Sequence, residues 1–211
     1  MPSQQTIVLF TLFFGAVNLA GAQNKKWTTE ISKIRNTEVK SLISDQPGPG
    51  GEVVQTIEYI AIAEVEANFE SCIKVMKNTA LHKKIFDYTA KTEMLEKESE
   101  SEWYNYYYTD MPWPLPNSDS VTRFLFSNDG QTATFVSTAS PNKIGRKDVK
   151  RILLYNTDYI FTKLDNGKIK ITLKSKFQPV SSLPTWMANL WFPDGPARMI
   201  DRIISLSKNE G

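Results

Sequence analysis

The sequence predicts an α+β fold, in which a curved antiparallel β-sheet wraps around a long C-terminal α-helix. The sheet is predicted from residues 85–177, where runs of alternating apolar and polar residues are separated by hairpin turns. The helix is predicted from an apolar stripe with helical spacing near the C-terminus, formed by Met199, Ile200 and Ile203. A sheet whose strands alternate apolar and polar residues has one apolar face, which must be buried. We expect the C-terminal helix to pack on that face.

The first segment of the chain has the pattern of an export signal. Residues 6–20 are almost entirely apolar, a length typical of the hydrophobic region of a signal peptide and too short for a comfortable membrane span. Ala20-Gly21-Ala22 then offers a small-x-small cleavage site. We therefore predict a signal peptide at residues 1–22, one domain at residues 23–211 and a periplasmic or secreted location. Because no Lys or Arg precedes the apolar run, an uncleaved anchor or an N-terminal core helix stays open as an alternative.

The first half of the mature chain is predicted to hold two or three strands and one helix. Residues 27–44 alternate only in part and predict one or two strands, followed by a Pro- and Gly-rich loop at residues 45–51. Residues 53–63 are β-branched and apolar, which predicts a strand. From residue 64 to residue 78 apolar residues recur every three or four positions, so we expect an amphipathic helix with Cys72 buried.

The second half is predicted to be a series of strands followed by helical segments. Asn128-Asp129-Gly130 and Asp165-Asn166-Gly167 are typical of hairpin turns. Lysines alternate with apolar residues in the last strand, which places them on opposite faces. Pro184 suits the first turn of a helix, and residues 193–196 interrupt that helix before its final part. The predicted strands are residues 88–95, 102–109, 121–126, 131–138, 149–155, 159–164 and 168–177.

The composition excludes several kinds of site. A single cysteine, Cys72, rules out an internal disulfide, and one cysteine with one histidine is too few for a Cys/His zinc site. A catalytic triad would have to use His82, which lies among lysines and is predicted to be a surface residue. A net charge of +2 is too small to predict nucleic-acid binding. We therefore predict no enzyme activity and no metal site. The sequence leaves the oligomeric state open, with a monomer favoured.

Two motifs resemble the START (StAR-related lipid transfer) family. Residues 110–121, Asp-Met-Pro-Trp-Pro-Leu-Pro-Asn-Ser-Asp-Ser-Val, are similar to the family's Asp-x-Pro-Trp-Pro, which follows an aromatic strand and precedes Arg-Asp-x-Val. Residues 183–189, Leu-Pro-Thr-Trp-Met-Ala-Asn, are similar to the Ile-Pro-x-Trp-Leu-x-Asn that opens the family's C-terminal helix. The sequence departs from the pattern at Ser118, where Arg is usual, and at Tyr159, where Trp is common. The resemblance extends from about residue 53 to the C-terminus.

The resemblance implies a helix-grip fold, in which the sheet and the terminal helix enclose a tunnel. Such a tunnel holds one hydrophobic lipid, such as a sterol, a phospholipid or a fatty acid. The resemblance implies neither a metal nor an organic cofactor. On this basis we expect the protein to bind one lipid. The resemblance further implies transfer of the lipid between membranes, through transient contact of the protein with each membrane.

The candidate ligand-binding residues fall into apolar and polar groups. The apolar candidates are Phe135 and residues of the last strand and of the C-terminal helical segments. The apolar stripe of those helical segments is equally consistent with ordinary core packing. The hydroxyls of Tyr106 and Tyr108 are candidates for binding a cargo hydroxyl; the alternative is a structural role, in which the rings cover the sheet. Arg123 is a candidate for a polar head group if its face of the strand turns inward, and is otherwise solvated. The full set is Tyr106, Tyr108, Arg123, Phe135, Ile169, Ile171, Leu173, Trp186, Met187, Leu190, Met199 and Ile203.

Two other functions are left open by the residues. A cavity enzyme of the cyclase or hydrolase type would need a general acid or base in the pocket. A ligand sensor or partner-binding module would bind without transferring. Trp191 and Phe192, next to Pro193, are expected to form either a membrane-facing tip or part of the core.

Overall fold

The computed structural model describes residues 26–47, 51–145 and 147–209. The predicted signal peptide at residues 1–22 and its cleavage site lie outside the described residues. Within the described ranges, no helix is both long enough and apolar enough to cross a bilayer.

Ten strands in the described part of the chain form one sheet. Its order is β1-β2-β3-β10-β9-β7-β6-β5-β4, and these neighbours are all antiparallel. The short β8 pairs in parallel with the start of β6. The strands are β1 (Thr28–Ser32), β2 (Thr37–Pro47), β3 (Val53–Val65), β4 (Thr89–Ser99), β5 (Glu102–Thr109), β6 (Ser118–Asn128), β7 (Thr132–Ala139), β8 (Lys150–Arg151), β9 (Tyr155–Lys163) and β10 (Ile169–Phe177).

The helices lie on the inner face of this sheet. They are α1 (Phe69–Lys77), α2 (His82–Ile85), α3 (Thr185–Trp191) and α4 (Asp194–Ser207), with a 3₁₀ turn at Thr79–Leu81 between α1 and α2. Helix α1 begins where the side chain of Asn68 accepts a hydrogen bond from the Ser71 backbone N–H at 2.8 Å. Helix α4 packs against α1, α2, β2 and β3. The predicted α+β architecture, a sheet wrapped around a C-terminal helix, is confirmed.

The core fills one half of the inner face. Phe135, Phe161 and Leu173 of the sheet are completely buried there. Ile200 and Ile203 of α4 meet them, and α1 closes the same half. Hydrophobic burial of this kind is the main source of stability. The other half of the inner face, under α3, is not filled in this way.

Several predicted element boundaries are wrong, among them the following four. The predicted helix at residues 64–78 begins only at Phe69, because Glu64 and Val65 extend β3 and pair with β10. The predicted strand at residues 149–155 does not form as one strand. Lys150 and Arg151 form the short β8, which pairs in parallel with β6, and Tyr155 begins β9. Asp194 already belongs to α4, so the predicted interruption at residues 193–196 is a junction between two helices. Residues 45–47, predicted as a loop, extend β2.

The prediction that His82 lies on the surface is wrong, because the side chain is fully buried. Its ring packs beside Phe86, Tyr107 and Phe124 on the inner side of the sheet. The adjacent lysines, Lys83 and Lys84, are exposed. The short helix α2 directs His82 inward while its neighbours face water. This segment is too short for its apolar residues to show a helical period, so the sequence does not reveal the orientation of His82. The predicted burial of Cys72 is confirmed.

The sheet is open, with β1 and β4 at its two edges. Strand β1 has five residues, four of them exposed. Strand β4 pairs with β5 through three register shifts, and its exposed residues are mostly Lys and Glu. Both edges therefore differ from a long, flat, apolar strand.

Candidate ligand-binding cavity

A cavity of about 470 Å³ lies under α3, in the half of the inner face that the core leaves unfilled. Ligand pockets typically range from about 300 to 1,000 Å³. The wall formed by the sheet comes from the ends of β3, β9 and β10. Its side chains are Ile57, Tyr59, Tyr155, Ser175 and Phe177.

Helix α3 and the segment before it form the roof. Met187, Ala188 and Trp191 line the cavity from above, together with Met199 of α4. Leu183, at the start of this roof, is held by Gln55 of β3 through two hydrogen bonds. Gln55 Nε2 donates to the backbone carbonyl of Leu183 at 3.2 Å, and the backbone N–H of Leu183 donates to Gln55 Oε1 at 2.8 Å.

The open side of the cavity carries large exposed apolar side chains. Trp186 and Leu190 of α3 line the cavity but are 59% and 74% exposed. The loop after β5 forms the opposite rim through Met111 and Leu115. At the tip of that loop, Trp113 is 92% exposed. Exposed apolar clusters of this kind mark contact surfaces.

Small side chains explain why space remains here. Ser118 and Ser175 occupy the floor of the cavity, where the other half of the sheet carries bulkier residues. The hydroxyls of Ser175 and Thr157 lie 2.7 Å apart, so the polar group of Ser175 is satisfied within the sheet. On the roof, Trp191 packs edge-on against Tyr59 and close to Gly195, rather than across the cavity.

The charged side chains that line the described cavity are Asp87, which follows α2, and Arg198 of α4. Asp87 Oδ2 accepts hydrogen bonds from Trp191 Nε1 at 3.0 Å and from Arg198 Nη2 at 3.1 Å. Asp87 Oδ1 accepts one from Arg202 Nη1 at 2.6 Å. Burial raises the pKa of the Asp87 carboxyl, but these hydrogen bonds outweigh burial and hold the pKa below its usual value.

Two tyrosines of the sheet, Tyr59 and Tyr155, also line the cavity. Tyr155 and Tyr159 place their hydroxyl oxygens 3.0 Å apart. Burial raises the pKa of both groups, as it does for Tyr59, because a phenolate would be poorly solvated there. These side chains are therefore neutral hydrogen-bonding groups at physiological pH.

The structure brings four of the predicted ligand residues together. Trp186, Met187 and Leu190 of α3 and Met199 of α4 all line the cavity. A second group lies in the packed half of the inner face, away from the cavity, because α1 covers that half. This group consists of Phe135, Ile169, Ile171, Leu173 and Ile203. Trp191 and Phe192 pack against Tyr59, which favours core over a membrane-facing tip for these two.

Three predicted polar candidates lie on the other side of the sheet. Tyr106 and Tyr108 point outward because the alternation of β5 turns Trp103, Asn105 and Tyr107 inward. Arg123 also points outward, and its Nε donates to Glu102 Oε1 at 2.7 Å. The inward orientation considered for Arg123 is therefore wrong, and none of the three lines the cavity.

Sequence reasoning missed Asp87 and Arg198. The candidates on the C-terminal helix come from its apolar stripe, which does not include Arg198, and Asp87 lies just before the predicted strand at residues 88–95. The rim residues Met111 and Leu115 belong to the first recognised motif but are not among the predicted ligand residues. The usable signal was the spacing of Arg198 and Arg202, which places two cations on one face of a helix.

No family model matches the sequence, and a comparison with curated proteins gives no match. Solved structures do match. The STAR-related lipid transfer protein from Xanthomonas axonopodis superposes with a TM-score of 0.68 at 21% identity, over 86% of this chain and 98% of that chain. The chain has the helix-grip fold of START domains. Human STARD10 gives a TM-score of 0.62 at 20% identity, over 84% and 72% of the two chains. Human StAR-related lipid transfer protein 5 gives 0.62 at 15% identity, over 87% and 86%.

Within this START fold, the two recognised motifs lie on opposite sides of the cavity. The first contains the rim loop with Trp113 and ends in β6, and the second contains Leu183 and most of α3. The departure at Ser118 lies on the cavity floor. An arginine there would place a long cationic side chain into the space that Ser118 leaves open. The departure at Tyr159 lies in the core, where its ring is completely buried.

Proposed function

We propose that this protein binds one hydrophobic lipid in the cavity under α3 and transfers it between membranes. The observation that carries the proposal is the cavity itself, which is lined mainly by apolar side chains and roofed by a short helix at one end of a packed core. The solved structures with the same fold include proteins described as lipid transfer proteins. Each Å² of apolar lipid surface removed from water contributes about 25 cal/mol.

Exposed apolar side chains at the rim support membrane contact. Trp186 and Leu190 on one side of the cavity, and Trp113 on the rim loop, present large apolar surface to solvent. Tryptophan favours the interface between water and bilayer. A lipid that leaves the cavity between these side chains would pass into the bilayer without crossing water. The proposed route is therefore between α3 and the loop after β5.

The proposed activity is carriage rather than catalysis. The two charged groups that line the described cavity, Asp87 and Arg198, bond to each other, and a general base would need a carboxylate available to take up a proton. We also propose that the chain is exported, on the basis of its apolar leader and the small-x-small site at Ala22.

Native mass spectrometry tests binding. The full chain and a chain lacking residues 1–22 are purified from a lipid-containing host, and the intact masses are compared with the polypeptide masses. We expect an added mass that is released as one defined lipid on extraction. An unmodified mass that persists after incubation with sterols, phospholipids and fatty acids would rule out the proposal.

A vesicle assay tests transfer and the rim. Donor vesicles carry a fluorescent lipid with a quencher, and transfer to acceptor vesicles restores fluorescence. The double substitution Trp186→Ser and Leu190→Ser is expected to slow transfer about tenfold, because two apolar contacts with the bilayer are lost. Leu125→Ser, a partly exposed leucine of β6 far from the rim, is the matched control. Equal transfer by all three proteins would remove α3 from the proposed route.

A further inference from the structure

The charges around Asp87 do not cancel. One carboxylate faces two guanidinium groups, those of Arg198 and Arg202, which lie on successive turns of α4. The shorter of the two contacts, 2.6 Å, is made by Arg202 to Asp87 Oδ1. Arg202 also donates to the carbonyl of Ile85 at 2.9 Å, which fixes its position. Asp87 is therefore the main counter-ion of Arg202, and the cluster carries one positive charge in excess.

Arg198 carries that excess charge into the cavity. It lines the cavity, whereas Arg202 lies in a separate shallow groove with Lys83 and Lys84. Within the described chain, the Arg198 guanidinium donates one hydrogen bond, from Nη2 to the carboxylate oxygen that Trp191 Nε1 also contacts. A guanidinium has five N–H donors. Most of those of Arg198 are thus available to a ligand.

The nearby charges do not remove this excess. The shallow groove contains Lys83, Lys84 and Asp110 besides Asp87 and Arg202, so its own balance is positive. Asp194 and Asp201, the acidic residues of α4, bond to Ser32 and Arg35 of the β1–β2 hairpin. A cation beside an apolar cavity is most stable when an anion pairs with it, because low polarity strengthens the attraction and penalises an unpaired charge.

We infer that the cavity takes a lipid with an anionic head group, a carboxylate or a phosphate, and that Arg198 binds this head group at the rim. The inference rests on the proposed lipid-binding function and names its substrate class. The apolar chain lies under α3 against Met187 and Phe177, and the head group replaces water at Arg198. Arg198 can make two parallel hydrogen bonds to either anion.

Calorimetric titration of the delipidated full-length chain tests the inference. Three ligands share a ten-carbon chain: decanoate, decyl phosphate and decanol. We expect both anions to bind about tenfold or more tightly than decanol, since a hydrogen bond to a charged group contributes about 1.5–3 kcal/mol. The ratio of the two anions distinguishes a carboxylate cargo from a phosphate cargo. This comparison needs no substitution and is unaffected by a variant that fails to fold.

Two variants assign the effect to Arg198. Arg198→Gln is expected to abolish the preference for anions and to leave decanol binding within about twofold. Arg123→Gln makes the same change of charge on the outer face of the sheet and is expected to keep the preference. Equal affinity of wild-type protein for decanol and both anions would overturn the inference while leaving lipid binding intact. An anion preference that survives Arg198→Gln would overturn the role of Arg198, and no binding of any ligand would overturn the proposed function with it.

Discussion

The Nδ1 atom of His82 lies 2.7 Å from the hydroxyl oxygen of Tyr107, in the interior between α2 and the sheet. His82 Nε2 lies 2.9 Å from the carbonyl oxygen of Met76, which can only accept, so Nε2 carries the proton. Tyr107 therefore donates to Nδ1, and its oxygen accepts from Asn105 Nδ2 at 3.0 Å. Thr79 in turn donates to Asn105 Oδ1 at 3.0 Å. This network joins the helical segment to β5.

Tyr107→Phe is expected to destabilise the protein by about 1–3 kcal/mol. The substitution leaves His82 Nδ1 without a donor in a fully buried site, and an unsatisfied buried group carries that penalty. Tyr104→Phe removes a hydroxyl from the outer face of the same strand and serves as control, with an expected change within about 0.5 kcal/mol. Urea unfolding at neutral pH measures both. Equal stability of the two variants would contradict the role given to this network.

The stability of the folded protein is expected to fall as the pH drops from about 6.5 towards 4. Burial lowers the pKa of His82 to about 4, although the hydrogen bond to Met76 opposes the shift. In the unfolded chain His82 titrates near its usual 6.5, so between these two values the unfolded state binds the proton first. The difference corresponds to a loss of about 3 kcal/mol, complete near pH 4 and absent above about pH 7.

Because His82 is the single histidine, NMR reports its pKa without ambiguity. The imidazole carbon-bound protons are expected to titrate near pH 4 in the folded protein. His82→Gln serves as comparison, and its stability is expected to vary less between pH 4 and pH 7 than that of the wild type. A histidine pKa near 6.5 in the folded state would contradict the buried, neutral ring.

Asp119→Asn is expected to cost about 3–5 kcal/mol. Asp119 and Arg151 form a fully buried pair with two hydrogen bonds, of 2.9 and 2.7 Å, so the substitution leaves a buried guanidinium uncompensated. Glu102→Gln breaks the more exposed pair with Arg123 on the same sheet face, where a loss within about 1 kcal/mol is expected. Chemical denaturation compares the two. Similar losses would show that burial does not decide the strength of these pairs.

The same pair holds the segment before β8 against the outer face of the sheet. Arg151 donates to the backbone carbonyls of Pro141, Ile144 and Gly145. In Asp119→Asn, amide hydrogen exchange is therefore expected to rise at residues 142–145 before it rises in the core strands.

Gly195→Ala is expected to destabilise the protein by about 1–3 kcal/mol and to change the roof of the cavity. A Cβ atom at residue 195 would overlap the Trp191 ring, so the ring would have to move away from Tyr59 and Asp87. Gly145→Ala is the matched control, because nothing lies within 4 Å of its Cβ position. Thermal unfolding and ligand affinity are compared. Unchanged values for Gly195→Ala would show that Trp191 has no fixed position.

Local patterns predicted the strands well and their partners less well. β5 matches the predicted residues 102–109, and Gly130 and Gly167 adopt the positive φ that hairpin turns need. These signals lie within a few residues of one another. The parallel pairing of β8 depends instead on the buried contact between Asp119 and Arg151, 32 positions apart, which no local pattern encodes.

The sequence predicted part of the apolar lining of the candidate cavity, Trp186, Met187, Leu190 and Met199, but not its charged residues. Alternation divides a strand into two faces without saying which face turns inward, and β5 has aromatic residues on both. Arg123, the conditional candidate for a head group, lies on the outer face of the sheet, and Arg198 lies at the cavity. The helical spacing of Arg198 and Arg202 marks both as candidates. Choosing Arg198 between them depends on how the two arginines share Asp87, which is a tertiary relationship.

The two open edges of the sheet affect how the protein behaves when it is concentrated. An unpaired strand offers its backbone N–H and C=O groups to any similar strand, and stacked strands of many molecules grow into aggregates. β1 is too short to serve as a template, and the shifts of register and alternating charges of β4 leave no straight row for a neighbour to continue. A protein that displays tryptophan and leucine around an open cavity is at particular risk of sticking to its own copies. Because neither edge readily pairs with a further strand, the risk of self-association is confined to the rim of the cavity, where lipid or membrane can cover the apolar side chains.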